Sequence, residues 1–267
     1  MSVSRPAAFS APGGAEAPGD RDRGGQTRRR APLLRSGRSL VATVFAALLG
    51  SALLLGAVPR LVAAFHLLPG DPGMALLESG QLPSPQAYQR IVASRRAAAA
   101  WSAAPSTLTD LGVASLSLAQ ASSEGRAILL DLAERQLQAG LAGAPLDPHA
   151  WTYLAFIHTA TGDRQRAAQA LHLALRTGPY EPDLALPRAA LGLTNWPWLD
   201  PDTRTRLGAE FAHALRLAPD RFTADVLDSG RSLEVRAALA AAPPEQRELD
   251  RRLDELRPRS LSGSTAP

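Results

Sequence analysis

Residues 147–179 read DPHAWTYLAFIHTATGDRQRAAQALHLALRTGP. Punctuation residues divide this stretch into two helices. Asp147-Pro148 puts a carboxylate acceptor at a helix start, with proline at the first helical position, where its missing N–H is no loss. Gly162-Asp163 breaks the pattern about four turns later, and Gly178-Pro179 stops a second run of similar length. Both runs are rich in Ala and Leu and place apolar residues three and four apart, so each has a face to bury. Two short helices joined by a tight turn bury such faces against each other and against further neighbours.

The sizes of the apolar residues say how they pack. Trp151, Leu154 and Ala155 stand on the first helix, Gly162 in the turn, and Ala167, Leu171 and Ala174 on the second, closed by Pro179. Small residues let the two helices approach, while large ones fill the groove to the next pair. The set resembles a tetratricopeptide repeat (TPR), a helix–turn–helix of about 34 residues. Trp151 matches the large first-helix residue, and Leu154 and Ala155 the Leu-Gly/Ala pair. Gly162 matches the turn glycine, Ala167, Leu171 and Ala174 the second-helix packing positions, and Pro179 the closing proline. His158 departs from the pattern, which prefers tyrosine there. The resemblance implies a stacked array of hairpins, an architecture that usually serves as a protein-binding scaffold.

The neighbours extend this reading. Upstream, Leu111-Gly112 lies in a helical pattern, and Ala133 and Pro145 precede Ala167 and Pro179 by one repeat length. A longer loop at 121–126 makes that register inexact. Downstream, 181–195 resembles a first helix and 202–217 a second. Phe211, Ala214 and Pro219 follow Leu171, Ala174 and Pro179 at one common spacing, somewhat longer than the repeat. The added length fits an expanded turn, NWPWLDP, at 195–201. The resemblance thus runs across 111–219, one hairpin closely and two loosely. Before it, Ser84-Pro85 starts a helix ending near Ser102. After it come two short helices in 220–242, and then PEQRELDRRLDELR, a charged capping helix with i,i+4 pairs.

Residues 40–58 carry no charge. As a helix they span roughly 28 Å, close to a bilayer core of about 30 Å. Arg35, Arg38 and Arg60 flank them. The run is long for a signal peptide and no clean cleavage site follows, so an uncleaved anchor is the preferred reading. The next stretch, LVAAFHLLP, extends the helix into the interface or lies along the membrane surface. Ala42, Ala46 and Gly50 are spaced by four, a small-residue face on which such helices approach closely, or a chance feature of an Ala-rich span.

Charge follows the same division. The chain of 267 residues has 29 basic residues, all arginine, against 25 acids. Positions 1–38 hold eight arginines and three acids, a net +5, and positions 39–267 hold 21 arginines and 22 acids. The excess therefore sits in a Gly/Pro-rich tail too polar to bury a core. By the positive-inside rule the tail stays cytoplasmic and the rest crosses the membrane, which in a bacterium means the periplasm. The near-neutral body argues against nucleic acid as a partner.

Chemistry is sparse. There is no cysteine, which excludes disulfides, thiolate metal sites and cysteine nucleophiles. The sequence has no HExxH, no Walker lysine and no GxSxG, and the five histidines have no metal-motif spacing. No catalytic, cofactor or metal residue is assigned, and the expectation is a non-enzyme without a cofactor. Candidate partner contacts are His149, Tyr153 and Arg188, on first helices that line the concave face of such arrays. Trp196 and Trp198 in the expanded turn are the others. The plainer readings are polar surface for the first three and a core cap for the tryptophans.

The expected fold is all-α: one transmembrane helix followed by a short array of about three TPR-like hairpins with capping helices. The divisions are a 1–38 arginine-rich tail, a 39–59 anchor, a 60–84 linker, an 85–219 array, 220–257 capping helices and a 258–267 disordered tail. The expected partners are proteins in or at the membrane and the bilayer itself. A homodimer through the anchor is what its small-residue face would allow. The overall pattern is also similar to small repeat proteins that accompany polysaccharide-assembly machinery. The competing class is a structural subunit whose anchor packs laterally into a multi-pass complex.

Overall fold

The computed structural model describes residues 37–78, 81, 83–122 and 124–256. Expectations for the two terminal tails lie outside the described residues, apart from positions 37 and 38. Among the described residues there are twelve α-helices and no strand. The chain divides into two compact units, one ending at Gly50 and one beginning at Ser51, and helix α1 (Gly37–Leu67) contributes to both.

In the first unit Leu40, Val41, Phe45 and Leu48 of α1 are all exposed. The same holds for Leu53, Leu54 and Leu55 where the helix enters the second unit. From Leu40 to Leu67 the helix is long and apolar enough to cross a membrane, and it is the one such helix among the described residues. An uncovered apolar surface of this extent is foreign to a monomer in water. The sequence leaves two courses open for LVAAFHLLP after the 39–59 anchor, an extension of the helix or a stretch along the membrane surface within the 60–84 segment. The helix takes the first: it runs through Pro59 to Leu67, and α2 (Asp71–Glu78) follows after a short turn. Proline removes one backbone hydrogen bond, but the LVAAFHL that follows is made mostly of good helix formers that carry the helix on.

Next come α3 (Pro85–Trp101), α4 (Pro105–Ala121), α5 (Arg126–Gly143), α6 (Pro148–Thr161), α7 (Arg164–Thr177), α8 (Ala185–Asn195) and α9 (Pro201–Leu217). The closest pairings are α4 with α5, α6 with α7, and α8 with α9, so three helical hairpins follow one another. The chain's own punctuation sets their ends. Ser84 Oγ accepts from Ala87 N at 3.3 Å, Asp147 from His149 N and Ala150 N at 2.9 and 3.1 Å, Asp163 from Arg166 N at 3.1 Å, and Asp200 from Thr203 N at 2.8 Å. Gly162 ends α6 with φ +85°, a backbone conformation that costs glycine little. The third hairpin turns through a short 3-10 segment, Trp196–Trp198, within the turn expected to be expanded.

A Leu–small pair recurs in the first helix of each hairpin: Leu111-Gly112, Leu154-Ala155 and Leu191-Gly192, all buried. A Cβ on Gly112 would lie 2.6 Å from Leu137 Cγ of α5, and one on Gly192 would lie 2.7 Å from Leu207 Cδ1 of α9. Helix contact at this distance is what the small position permits. Ala167, Leu171 and Ala174 of α7 are fully buried, and Trp151 packs on the core from a half-buried position. Pro179 is exposed beyond the end of α7. One core of mainly Leu and Ala runs from α4 through α9 and onward into the last helices. These are α10 (Pro219–Ser229), α11 (Ser232–Ala238) and α12 (Pro243–Leu256). Leu249 and Leu253 close the end of that core, while Leu256 is exposed. The solvent face of α12 pairs Arg251 with Glu255 and Arg252 with Glu248, each four residues apart.

Candidate partner-binding surface

The five contact residues read from the sequence separate into three groups. Arg188, expected at a face open to a partner, has no exposed surface. This is a correction to the sequence reading. Its Nη1 donates to Gly178 O at 2.6 Å, its Nη2 to Ala174 O at 2.9 Å and its Nε to Thr152 Oγ1 at 3.3 Å, and Nη1 also meets Glu210 Oε1 at 3.2 Å. One side chain of α8 thus holds the end of α7, the face of α6 and an acid of α9. Burial pushes the Glu210 carboxyl above its ordinary range, and the Arg188 charge beside it works in the opposite direction.

Trp196 and Tyr153 are half-buried against the core. The Trp196 ring stacks on Phe211 with centroids 6.2 Å apart, and the Arg204 guanidinium lies 5.3 Å above it. It therefore closes the hairpin end, as the plainer reading had it. Trp198, two residues on, is 51% exposed with Arg164 at 5.8 Å from its ring. An aromatic side chain with one face covered by a cation and the rest open is suited to anchor a partner.

His149 sits in the first turn of α6, partly exposed, with Nε2 at 3.8 Å from Asp183 Oδ2. Glu181 joins them, so that one donor atom from each of the three lies within 4.8 Å of the others. Tyr180 beside them is the most open of the large hydrophobic side chains among the described residues, 91% exposed. A second group of the same kind joins His172, Asp200 and Asp202. The sequence reading found neither group, because in each the histidine lies on one helix and the acids at the start of a later one. The local signal is Glu-Pro-Asp at 181–183 and Asp-Pro-Asp at 200–202, both of which are helix starts.

Imidazole with two carboxylates is a donor set for a divalent cation. In the second group, however, Asp200 already accepts from Thr203 N and Thr203 Oγ1, both at 2.8 Å, while His172 Nδ1 meets Thr203 Oγ1 at 2.7 Å. Burial raises the Asp200 carboxyl, but those hydrogen bonds and His172 outweigh it and hold it below its usual range. A helix N-terminus also carries partial positive charge, which opposes a cation. Capping accounts for Asp200, Asp202 pairs with Arg206 at 2.8 Å, and no metal is assigned to either group.

On α1, Ala42, Ala46 and Gly50 have nothing packed on them among the described residues that would explain their size. A Cβ on Gly50 would meet no atom within 4 Å. Ala42 and Ala46 are exposed, as is most of the helix around them.

Compared with known protein families, curated proteins and solved structures, the chain matches none of them.

Proposed function

We propose that this chain is a membrane-anchored scaffold of the bacterial cell envelope. Its TPR-like hairpins would present a surface to protein partners at the cytoplasmic membrane. The observation that carries the reading is the joining, in one chain, of an uncovered apolar helix of membrane length with an array of helical hairpins. The arginine-rich tail supports a cytoplasmic N-terminus and a periplasmic array. The open Trp198 and Tyr180 support contact by the array, since both place large apolar area where water now covers it. A near-neutral body favours recognition by shape and apolar contact. Polysaccharide-assembly machinery is the kind of partner that the overall pattern suggests.

A second reading is favoured by the uncovered small face of α1: a structural subunit whose anchor packs into a multi-pass complex. In-cell photocrosslinking from the full-length chain separates the two. On the scaffold reading, a probe at Tyr180 or Trp198 captures a discrete protein band that a probe at Ala46 does not. On the subunit reading the Ala46 probe captures it and the array probes stay bare.

A further inference from the structure

The end of α1 is two-faced. Ala63 is buried against the folded unit. Leu61 and Phe65, four residues apart and on the opposite side of the helix by its turn angle, are 58% and 64% exposed, and Leu68 just past the helix end is 59% exposed. These three continue the apolar surface that precedes Arg60. The segment from Leu40 to Leu67 has 28 residues, roughly 42 Å of helix, against a bilayer core of about 30 Å. The surplus falls where the helix joins the folded unit.

That junction is tied by hydrogen bonds and close packing. Arg95 of α3 is buried and donates from Nη1 to Leu67 O at 3.0 Å, the end of α1. Its Nη2 pairs with Asp71 at 2.8 Å, the start of α2, and its Nε with Asp110 of α4 at 3.3 Å. Gly70 lies so close that a Cβ would come 2.1 Å from Ser94 Oγ and 2.6 Å from Arg95 Nη1. Past Arg95, the last turn of α3 carries an exposed Trp101, and Arg60, Arg90 and Arg96 are exposed in the same region of chain. Exposed Leu and Phe, a tryptophan at an element end and several arginines make up the composition of a surface that sits at the level of lipid headgroups.

We propose that this junction is a membrane seat: the face bearing Leu61, Phe65 and Leu68 lies in the lipid interface, so that α2 and α3 rest at the headgroup level. The occupant of the face is the bilayer. The seat rests on the anchor reading above, because continuity with the span is what brings lipid to these side chains. Headgroup phosphates offer acceptors to the exposed arginines.

The full chain has no cysteine, so single cysteines introduced by substitution carry unique labels. Leu48→Cys, Phe65→Cys and Ile128→Cys chains carry a small fluorophore and are reconstituted into phosphatidylglycerol-containing vesicles. The lipids are spin-labelled near the headgroup or deep in the acyl chain. Ile128 is an equally open apolar site on α5 and serves as the control. The expected result is strong quenching of the Leu48 label by the deep probe. The Phe65 label should be quenched by the shallow probe several-fold more than the Ile128 label. If Leu48 is quenched while Phe65 matches Ile128, the seat is overturned and the anchor stands. If neither is quenched, the anchor reading fails and the seat with it. An unquenched Phe65→Cys label, together with a disulfide formed under oxidation between two unlabelled Phe65→Cys chains, would assign the face to a second copy and overturn the proposal.

Discussion

Arg188 carries a full charge with no surface to solvate it, and the groups it satisfies belong to three other helices, α6, α7 and α9. Two consequences can be measured. Replacing it with leucine leaves the Glu210 carboxyl without its partner in the interior and takes a donor from Gly178 O and from Ala174 O, the latter keeping Gly178 N at 3.2 Å. Urea denaturation of the full chain in detergent should show a loss of about 3–5 kcal/mol. Replacing both Arg188 and Glu210 with Met and Leu should recover most of it, because two apolar side chains carry no desolvation penalty. If the pair of substitutions is no more stable than the single one, the charge pair is not the source of the loss. The second consequence concerns His158, whose imidazole is pushed below its ordinary pKa by burial. Glu134 and Asp163 pull it up against that, and Arg166 adds to the lowering. The unfolded chain then takes the proton first. The stability held by neutral His158 is complete above about pH 6.5 and is lost as pH falls below it. His158→Tyr should flatten the stability profile between pH 7 and 5, and equal slopes in the two proteins would contradict this.

At the scale of elements, helix ends were open to a sequence reading and helix partners were not. Asp147-Pro148, Gly162-Asp163 and Ser84-Pro85 act within a few residues of chain, so the groups that satisfy them are adjacent in sequence. Arg188 finds its partners on other helices, far along the chain, and nothing local separates it from an arginine on a wet face. The two His–carboxylate groups escaped notice for the same reason. Pro59 left two courses open in the sequence, and the helix continues past it because one missing hydrogen bond does not end a helix whose next turns are mostly Leu and Ala. The paired helices also differ in how much room they leave. A Cβ on Gly112 meets side-chain atoms, Leu137 Cγ and Cδ2 at 2.6 and 2.8 Å, whereas a Cβ on Gly208 of α9 would lie 2.3 Å from the backbone oxygen of Ala238, which can yield less than a side chain. Gly208→Ala should therefore cost about 1–3 kcal/mol, and Gly112→Ala less. Thermal unfolding of the two variants side by side checks the order, and a larger loss at Gly112 would reverse the packing argument.

For the whole molecule, a net basic chain turns out to have its excess charge in the segment before the apolar helix. The folded body carries nearly equal numbers of arginines and acids. On the proposed reading, charge acts on topology more than on recognition. The all-helical architecture was legible because Ala- and Leu-rich periodicity recurs from α3 to α9, and the end of the array because α12 alternates buried leucines with paired charges. The central claim is that one helix holds the array across the membrane from the arginine-rich tail. Paired reporter fusions placed after residue 256 of the full chain test it most directly. The account predicts an active alkaline phosphatase and a dark cytoplasm-only fluorescent protein at that position. A bright fluorescent reporter with inactive phosphatase would contradict it.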